Sequence, residues 1–356
     1  MALYSQVNTT DTIGGQAIMV LVPSVDSDVP YNASNPTRVV LYAHGSGEDE
    51  GGLLDDSLKA GVVTGLLTAG YILAGSNERG NNWGTQTAVD DLVALEKYVR
   101  DNYNVEGVAI WSQSMGGLSG LLCLAQGKFP VVGWLGTYPV CNLANLYSLG
   151  TYTSDINTAH SITGSGSGTY ANRTRGLDPA LLMGFSWRHV PMRFYASTGD
   201  TVVPKANNTD VLAALVAGCA RETAVVACSG NHGDTSHFDA TDYLAFFERC
   251  FDTPVATRRP TSTQTITLRL TSDGSAALPS LTGLRWAWWD QATPDLKEWP
   301  TDQGTAESTD GSGDISITIH TSLTTGQTGW LEVTESDGDA AQSPPPRMFS
   351  GPVEIV

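Results

Sequence analysis

Ten residues constrain this chain more than any others: Val108-Ala109-Ile110-Trp111-Ser112-Gln113-Ser114-Met115-Gly116-Gly117. An apolar run of strand length ends at the two serines. Two glycines then lead into Leu118-Ser119-Gly120-Leu121-Leu122-Cys123-Leu124, a segment suited to a helix. Strand, sharp turn and helix within so few residues bring two backbones almost into contact, which demands small side chains around the turn. The turn is expected to hold Ser114 in a strained conformation with its hydroxyl above the sheet. The pattern for such a turn is G-x-S-x-G; Gly116 keeps the second glycine, and Ser112 stands where the first would be.

Around this stretch, buried-type strands alternate with helical patterns. Strands are predicted over Ala17–Val22, Arg38–Ala43, Tyr71–Gly75, Val108–Gln113, Val131–Leu135, Met192–Ala196 and Ala224–Ala227. Helices are predicted over Leu53–Ala69, Thr85–Asn102, Asn208–Cys219 and Ala240–Cys250. In the second of these, Val89, Leu92, Val93, Glu96 and Val99 fall on one face, leaving Asp90, Asp91 and Lys97 for solvent. Such alternation predicts an α/β fold, a mainly parallel sheet with helices on both faces. Residues 141–190 break the rhythm with a Gly/Ser-rich run at 161–169 and read as an excursion over the site, part lid and part loop.

A serine is a poor nucleophile unless a base takes its proton and a third group orients the base. Downstream, in order, come Asp200 in Gly199-Asp200-Thr201-Val202-Val203-Pro204 and His232 in Gly230-Asn231-His232-Gly233. Each lies just past a predicted strand, where loops leave the carboxyl edge of a parallel sheet. His237, in Ser236-His237-Phe238-Asp239, is the rival base. His232 is preferred because its glycine-flanked loop reaches back to Ser114, whereas His237 reads as a helix-start residue. His160, His189 and His320 read as ordinary polar or half-buried residues. An acyl transfer also needs donors for the developing oxyanion. The N–H of Met115 is one, and the second is expected from Gly45 or Ser46 in His44-Gly45-Ser46-Gly47.

On these motifs, residues from about 15 to 250 resemble the α/β-hydrolase fold, and the class implied is a serine esterase or lipase-like hydrolase. The resemblance implies the roles of oxyanion loop for His44–Gly47, nucleophile elbow for Ser112–Gly116, acid for Asp200 and base for His232. It implies no cofactor and no metal.

Composition shifts after Cys250. Residues 253–263 form a Pro/Thr/Arg linker, dividing a first domain over 1–252 from a second over 264–356. The second shows period-two segments at Thr265–Leu270, Gly283–Trp289, Ile315–His320, Trp330–Thr334 and Val353–Val356. Turn pairs Asp273-Gly274, Asp310-Gly311 and Asp337-Gly338 separate them. This reads as an all-β, sandwich-like domain of about 90 residues. Trp286, Trp288, Trp289, Trp299 and Trp330 lie in it; a sandwich core accounts for them, and an exposed stacking face is the sharper reading. Leu281–Trp289, Gly329-Trp330-Leu331 and Phe349–Val353 resemble small β-domains of tailed-phage virion proteins. That resemblance implies a virion context, contact with a virion protein or a second copy, and an acylated surface glycan as substrate.

The net charge of −18 is spread over both parts, and no cluster of cations is present. Binding to nucleic acid depends on such clusters, so neither nucleic acid nor an anionic membrane is an expected partner. The first twelve residues carry no basic segment followed by an apolar stretch, so no secretory signal is expected. Location is then expected on a virion, or otherwise in the cytoplasm. None of the five cysteines forms a C-x-x-C pair. Buried thiols fit their contexts, with a bridge between Cys219 and Cys228 left open. Because the linker is polar and no motif lies beyond it, a chain ending near Asp252 is expected to fold and to retain activity on small soluble esters. Unfolding of that shortened chain in circular dichroism would mean that the two parts share a core.

Overall fold

The structure is a computed structural model. It describes residues 3–9, 15–24, 27–182, 184–187, 190–217, 220 and 222–252, and beyond them 265–269, 284–290, 296–298, 310–311, 314–318, 328–335 and 347–354. Eight strands share one sheet: β1 (Tyr4–Thr9), β2 (Ile18–Pro23), β3 (Thr37–Ala43), β4 (Ile72–Ser76), β5 (Val105–Gln113), β6 (Trp134–Thr137), β7 (Pro191–Ser197) and β8 (Glu222–Cys228). Their order is β1-β2-β4-β3-β5-β6-β7-β8. β1 and β2 run antiparallel to their neighbours, and every pairing from β4 onward is parallel. The helices are α1 (Gly52–Asp55), α2 (Ala60–Thr68), α3 (Gln86–Asn102), α4 (Gly116–Gln126), α5 (Leu143–Leu149), α6 (Thr153–Ala159), α7 (Tyr170–Arg173), α8 (Thr209–Val216) and α9 (Ala240–Asp252).

The period of two along each strand divides the core between the two faces. Val39, Leu41 and Ala43 of β3 pack with Ile110 under α3, α4 and α8. Val40 and Tyr42 pack with Ala109 and Trp111 under α2 and α9. A third cluster lies over the sheet's edge and joins Met115 and Leu118 to Val140, Leu143, Leu146 and Ile156 of the excursion. Burial on both faces is what a parallel sheet requires.

Several elements differ from the sequence reading. The single helix expected over Leu53–Ala69 is two, α1 and α2, because Asp56 is extended and its carboxylate accepts the Leu58 N–H at 2.9 Å. β6 runs to Thr137 rather than ending at Leu135, which places Tyr138 directly past the strand. Asp91 is buried rather than solvent-facing, because Arg79 from the loop after β4 covers it with Nε at 3.0 Å. β1, unpredicted, pairs with β2 along its whole length.

The excursion holds α5 to α7 and short 3₁₀ turns, pinned by buried polar groups. Asp178 accepts the N–H groups of Leu143 and Ala144 at 3.1 and 2.9 Å. Asn208 Oδ1 accepts those of Cys141 and Asn142, both at 3.1 Å. His160 is buried and its Nε2 lies 2.9 Å from the Trp83 carbonyl, tying the excursion to the loop after β4.

In the C-terminal part, β9 (Thr265–Arg269) pairs antiparallel with β12 (Asp314–Thr318). β10 (Leu284–Asp290), β11 (Leu296–Glu298), β13 (Thr328–Glu335) and β14 (Arg347–Glu354) form a four-stranded antiparallel sheet in the order β11-β10-β13-β14. The linker at 253–263, Cys219, His189, His320 and Trp299 lie outside the described residues. Among the described residues no helix is long and apolar enough to cross a membrane.

Candidate active site

Ser114 occupies the turn between β5 and α4 with φ +47°, the left-handed region that a non-glycine residue adopts only under constraint. Its N–H donates to the Thr137 carbonyl at 3.0 Å, and its own carbonyl accepts from Gly117 and Val140 at 2.9 and 2.8 Å. A Cβ on Gly116 would collide with the carbonyl oxygen of Ala43, and one on Gly117 would lie 2.6 Å from that of Val140. Ser112 departs from the elbow pattern at no cost in fit. Its buried hydroxyl accepts the Trp134 indole N–H at 3.0 Å and fills the space beside Gly120, where a Cβ would collide with it.

The structure brings the three sequence-predicted side chains into one hydrogen-bonded line. Ser114 Oγ lies 3.0 Å from His232 Nε2, and His232 Nδ1 lies 2.8 Å from Asp200 Oδ2. Asp200 is buried, and its other oxygen accepts the N–H groups of Val202 and Val203, both at 2.9 Å. The loops carrying Asp200 and His232 are fastened together. Ser197 Oγ donates to the Gly230 carbonyl at 2.6 Å, and Asn231 Oδ1 accepts the Thr201 N–H at 3.0 Å. Tyr138, which no sequence motif marked, packs its ring 4.3 Å from that of His232.

His237 stands apart from this line. It closes a one-turn 3₁₀ helix, is fully buried, and its Nδ1 faces the Asp234 carbonyl at 3.0 Å. Burial holds its pKa below the ordinary histidine value.

The two candidates for the second oxyanion donor differ. The Gly45 N–H already donates to Glu48 Oε2 at 3.1 Å. The Ser46 N–H has no acceptor among the described residues, and neither has that of Met115 at the amino end of α4. The N–H groups of Met115 and Ser46 thus stay unpaired among the described residues, whereas that of Gly45 is engaged by Glu48. The Ser46 side chain and the Gly47 N–H are both held by Asn81 Oδ1, at 3.0 and 2.8 Å. His44 is fully buried between the carbonyls of Gly45 and Asn77, with ring nitrogens 2.7 and 2.8 Å away. Behind it, Glu78 is buried at φ +45° and accepts the Ser119 hydroxyl at 2.7 Å. Burial pushes its carboxyl up to about 7, against the pull of His44 and that hydrogen bond. Among the described residues no group of His, Cys, Asp and Glu is arranged to hold a metal ion.

No protein-family profile and no curated protein sequence matches the chain. Solved structures do. A prolyl endopeptidase structure aligns with TM-score 0.55 and 15% identity over 70% of this chain and 39% of that one. A mutant of puromycin hydrolase complexed with PGG aligns at 0.54 and 20% over 71% and 40%. An S-formylglutathione hydrolase from Agrobacterium tumefaciens aligns at 0.52 and 11% over 69% and 96%. The chain therefore spans about two-fifths of the first two structures. With the strand order above, these likenesses establish the α/β-hydrolase fold.

Restoring the pattern glycine by Ser112→Gly should lower stability by about 1–3 kcal/mol, since the buried Trp134 N–H loses its acceptor. Urea unfolding measures this, and a gain in stability would show that the hydroxyl fills nothing useful. Glu78 generates a pH-dependent expectation. Between the ordinary carboxylate range and about 7, the folded chain holds a proton at Glu78 that the unfolded chain has released. Stability therefore falls as pH rises through that window, and by pH 8 the loss is on the order of 3 kcal/mol. Glu78→Gln should flatten the change in urea midpoint between pH 5 and pH 8; an unchanged slope would assign the titration elsewhere.

Proposed function

We propose that this chain is a serine hydrolase that cleaves carboxylic esters through an acyl-enzyme. The observation that carries the reading is the continuous line from Ser114 Oγ through His232 to Asp200, with separations of 3.0 and 2.8 Å. In this reading the Ser114 proton passes to His232 Nε2 as Oγ bonds to the ester carbonyl carbon. The carbonyl electron pair moves onto oxygen, where the N–H groups of Met115 and Ser46 receive it. Collapse breaks the ester C–O bond, and the alcohol leaves with the proton from His232. A water then gives its proton to His232 and attacks the acyl carbon. The carboxylic acid departs, and the proton returns to Ser114. Asp200 stays ionised, fixes the tautomer with the proton on Nδ1, and stabilises the imidazolium.

The named neighbours support hydrolysis on this fold and leave the bond open between ester and peptide. The acyl-transfer reading draws on S-formylglutathione hydrolase, named for an S-acyl substrate, whose length the alignment nearly spans; it spans two-fifths of the prolyl endopeptidase and puromycin hydrolase chains. Within this reading we place an acylated surface glycan as the substrate class, with the tryptophan-rich C-terminal strands serving attachment to a particle or polymer. The alternative, a hydrolase-fold scaffold without activity, has against it the undamaged hydrogen-bonded line.

A fluorophosphonate probe should label Ser114 and leave Ser112 unlabelled. On short-chain aryl esters, Ser114→Ala and His232→Ala should each lower kcat on the order of 10⁴-fold or more. An assay that includes prolyl and aminoacyl anilides and an O-acetylated polysaccharide decides the substrate class. Full activity in folded Ser114→Ala would remove the serine mechanism, and loss in His237→Ala but not His232→Ala would reassign the base.

A further inference from the structure

The carboxylate of Glu48, one residue past His44–Gly47, receives four hydrogen bonds. Lys59 Nζ and Gln113 Nε2 donate to Oε1 at 2.6 and 3.0 Å. The Tyr42 hydroxyl and the Gly45 N–H donate to Oε2 at 2.6 and 3.1 Å. Lys59 is wholly buried, and its ammonium also donates to the Tyr42 hydroxyl at 2.8 Å and the Gly52 carbonyl at 2.5 Å. Every acceptor site of the carboxylate and every proton of the ammonium is therefore used. The donors come from four places: Tyr42 at the end of β3, Gly45 in the loop that follows it, Lys59 in the turn before α2, and Gln113, the residue directly before Ser114.

A group so placed joins the loop that carries one oxyanion donor to the elbow that carries the nucleophile and the other. We propose that Glu48 is a positioning residue for the oxyanion site: it fixes the Gly45 peptide, aims the free Ser46 N–H, and locks that loop to the elbow through Gln113, with Lys59 as its buried counter-ion. The proposal rests on the serine-hydrolase reading above. Burial pulls the Glu48 carboxyl up, but the Lys59 ammonium and the hydrogen bonds from Lys59, Tyr42 and Gly45 outweigh it and hold it below the usual range. Glu48 thus stays an acceptor across the working pH range. An amide in its place keeps one acceptor oxygen for Lys59 and turns an N–H toward Gly45, which already presents one. Oxyanion donors act only when aimed before the reaction begins, so a loop that loses its anchor loses rate rather than substrate affinity.

The test is Glu48→Gln in the full chain, assayed on a short-chain aryl ester beside wild type and Ser114→Ala. We expect kcat to fall on the order of 10–10³-fold with KM within about twofold, given what a single oxyanion donor contributes. The inhibition constant of an alkyl trifluoromethyl ketone should rise in parallel with the loss in kcat/KM. That ketone forms a tetrahedral adduct with the serine oxygen and so reads the oxyanion site directly. The acid limb of the pH–rate profile, which reports the base, should not move. If Glu48→Gln fails to fold, Glu48→Leu combined with Lys59→Met removes both buried charges and the Gly45 anchor, and the same kcat and ketone losses are expected. Wild-type kcat and ketone affinity in either folded variant would overturn the proposal. A rise in KM with unchanged ketone affinity would overturn it too, by assigning Glu48 to substrate binding. Undiminished activity in Ser114→Ala would instead overturn the hydrolase reading on which it rests.

Discussion

The site depends on a steric fact at one residue. Gly116 has no Cβ, so the first turn of α4 can rest on the carbonyl of Ala43 at the end of β3. That close approach puts the turn that carries Ser114 beside the loop that follows β3. The N–H groups of Met115 and Ser46 have no acceptor among the described residues. The positive φ of Ser114 follows from the same geometry, since the chain must reverse within two residues between strand and helix. Gly117 against Val140 and Gly120 against Ser112 extend the contact along the helix.

Most of this frame is legible in the sequence because it is written in local signals. The runs at Val39–Ala43 and Val108–Trp111 have no charged residue and are buried on both faces, and Ser114 follows the second; Asp200 and His232 follow β7 and β8, strands that carry Arg193 and Glu222 and were marked by their apolar segments. Signals failed where the determinant is distant in the chain. β1 is a polar, half-exposed edge strand that gains its conformation only by pairing with β2. Asp91 looks like a solvent position until Arg79 arrives from a loop twelve residues earlier. The engagement of the Gly45 N–H is also not legible in the sequence, although its acceptor is only three residues on, because it depends on where Lys59 and Gln113 hold the Glu48 carboxylate. The break between α1 and α2 was signalled only by the Asp56 turn, and without that break Lys59 would not lie where it meets Glu48.

The two histidines show how environment separates candidates of equal chemistry. Both pack against Tyr138, with ring centroids 4.3 Å away for His232 and 5.1 Å for His237. His232 keeps one nitrogen for a carboxylate and the other for the serine. His237 spends Nδ1 on a backbone carbonyl, and its buried Nε2 has no hydrogen-bond partner among the described residues. A fully buried imidazole favours its neutral form, and the hydrogen bond to Ser114 Oγ is made by His232.

Two carboxyl groups flank the loop at His44–Gly47, and their surroundings drive them apart. Glu48 has four donors, a buried ammonium among them, which hold it below the usual carboxylate range. Glu78 has no cation in hydrogen-bonding reach among the described residues, and burial carries it up to about 7. The ionised group organises N–H donors on one side of the loop. On the other side, His44 lies buried between the Gly45 and Asn77 carbonyls, ahead of Glu78. Gly45 is held at both ends by Glu48: its N–H donates to the carboxylate, and its carbonyl accepts the Glu48 N–H at 3.2 Å. An oxyanion site gains its advantage from dipoles that need no reorganisation during the reaction. In the serine-hydrolase reading proposed above, a loop held from both sides, with one N–H left unspent, meets that condition before any substrate arrives.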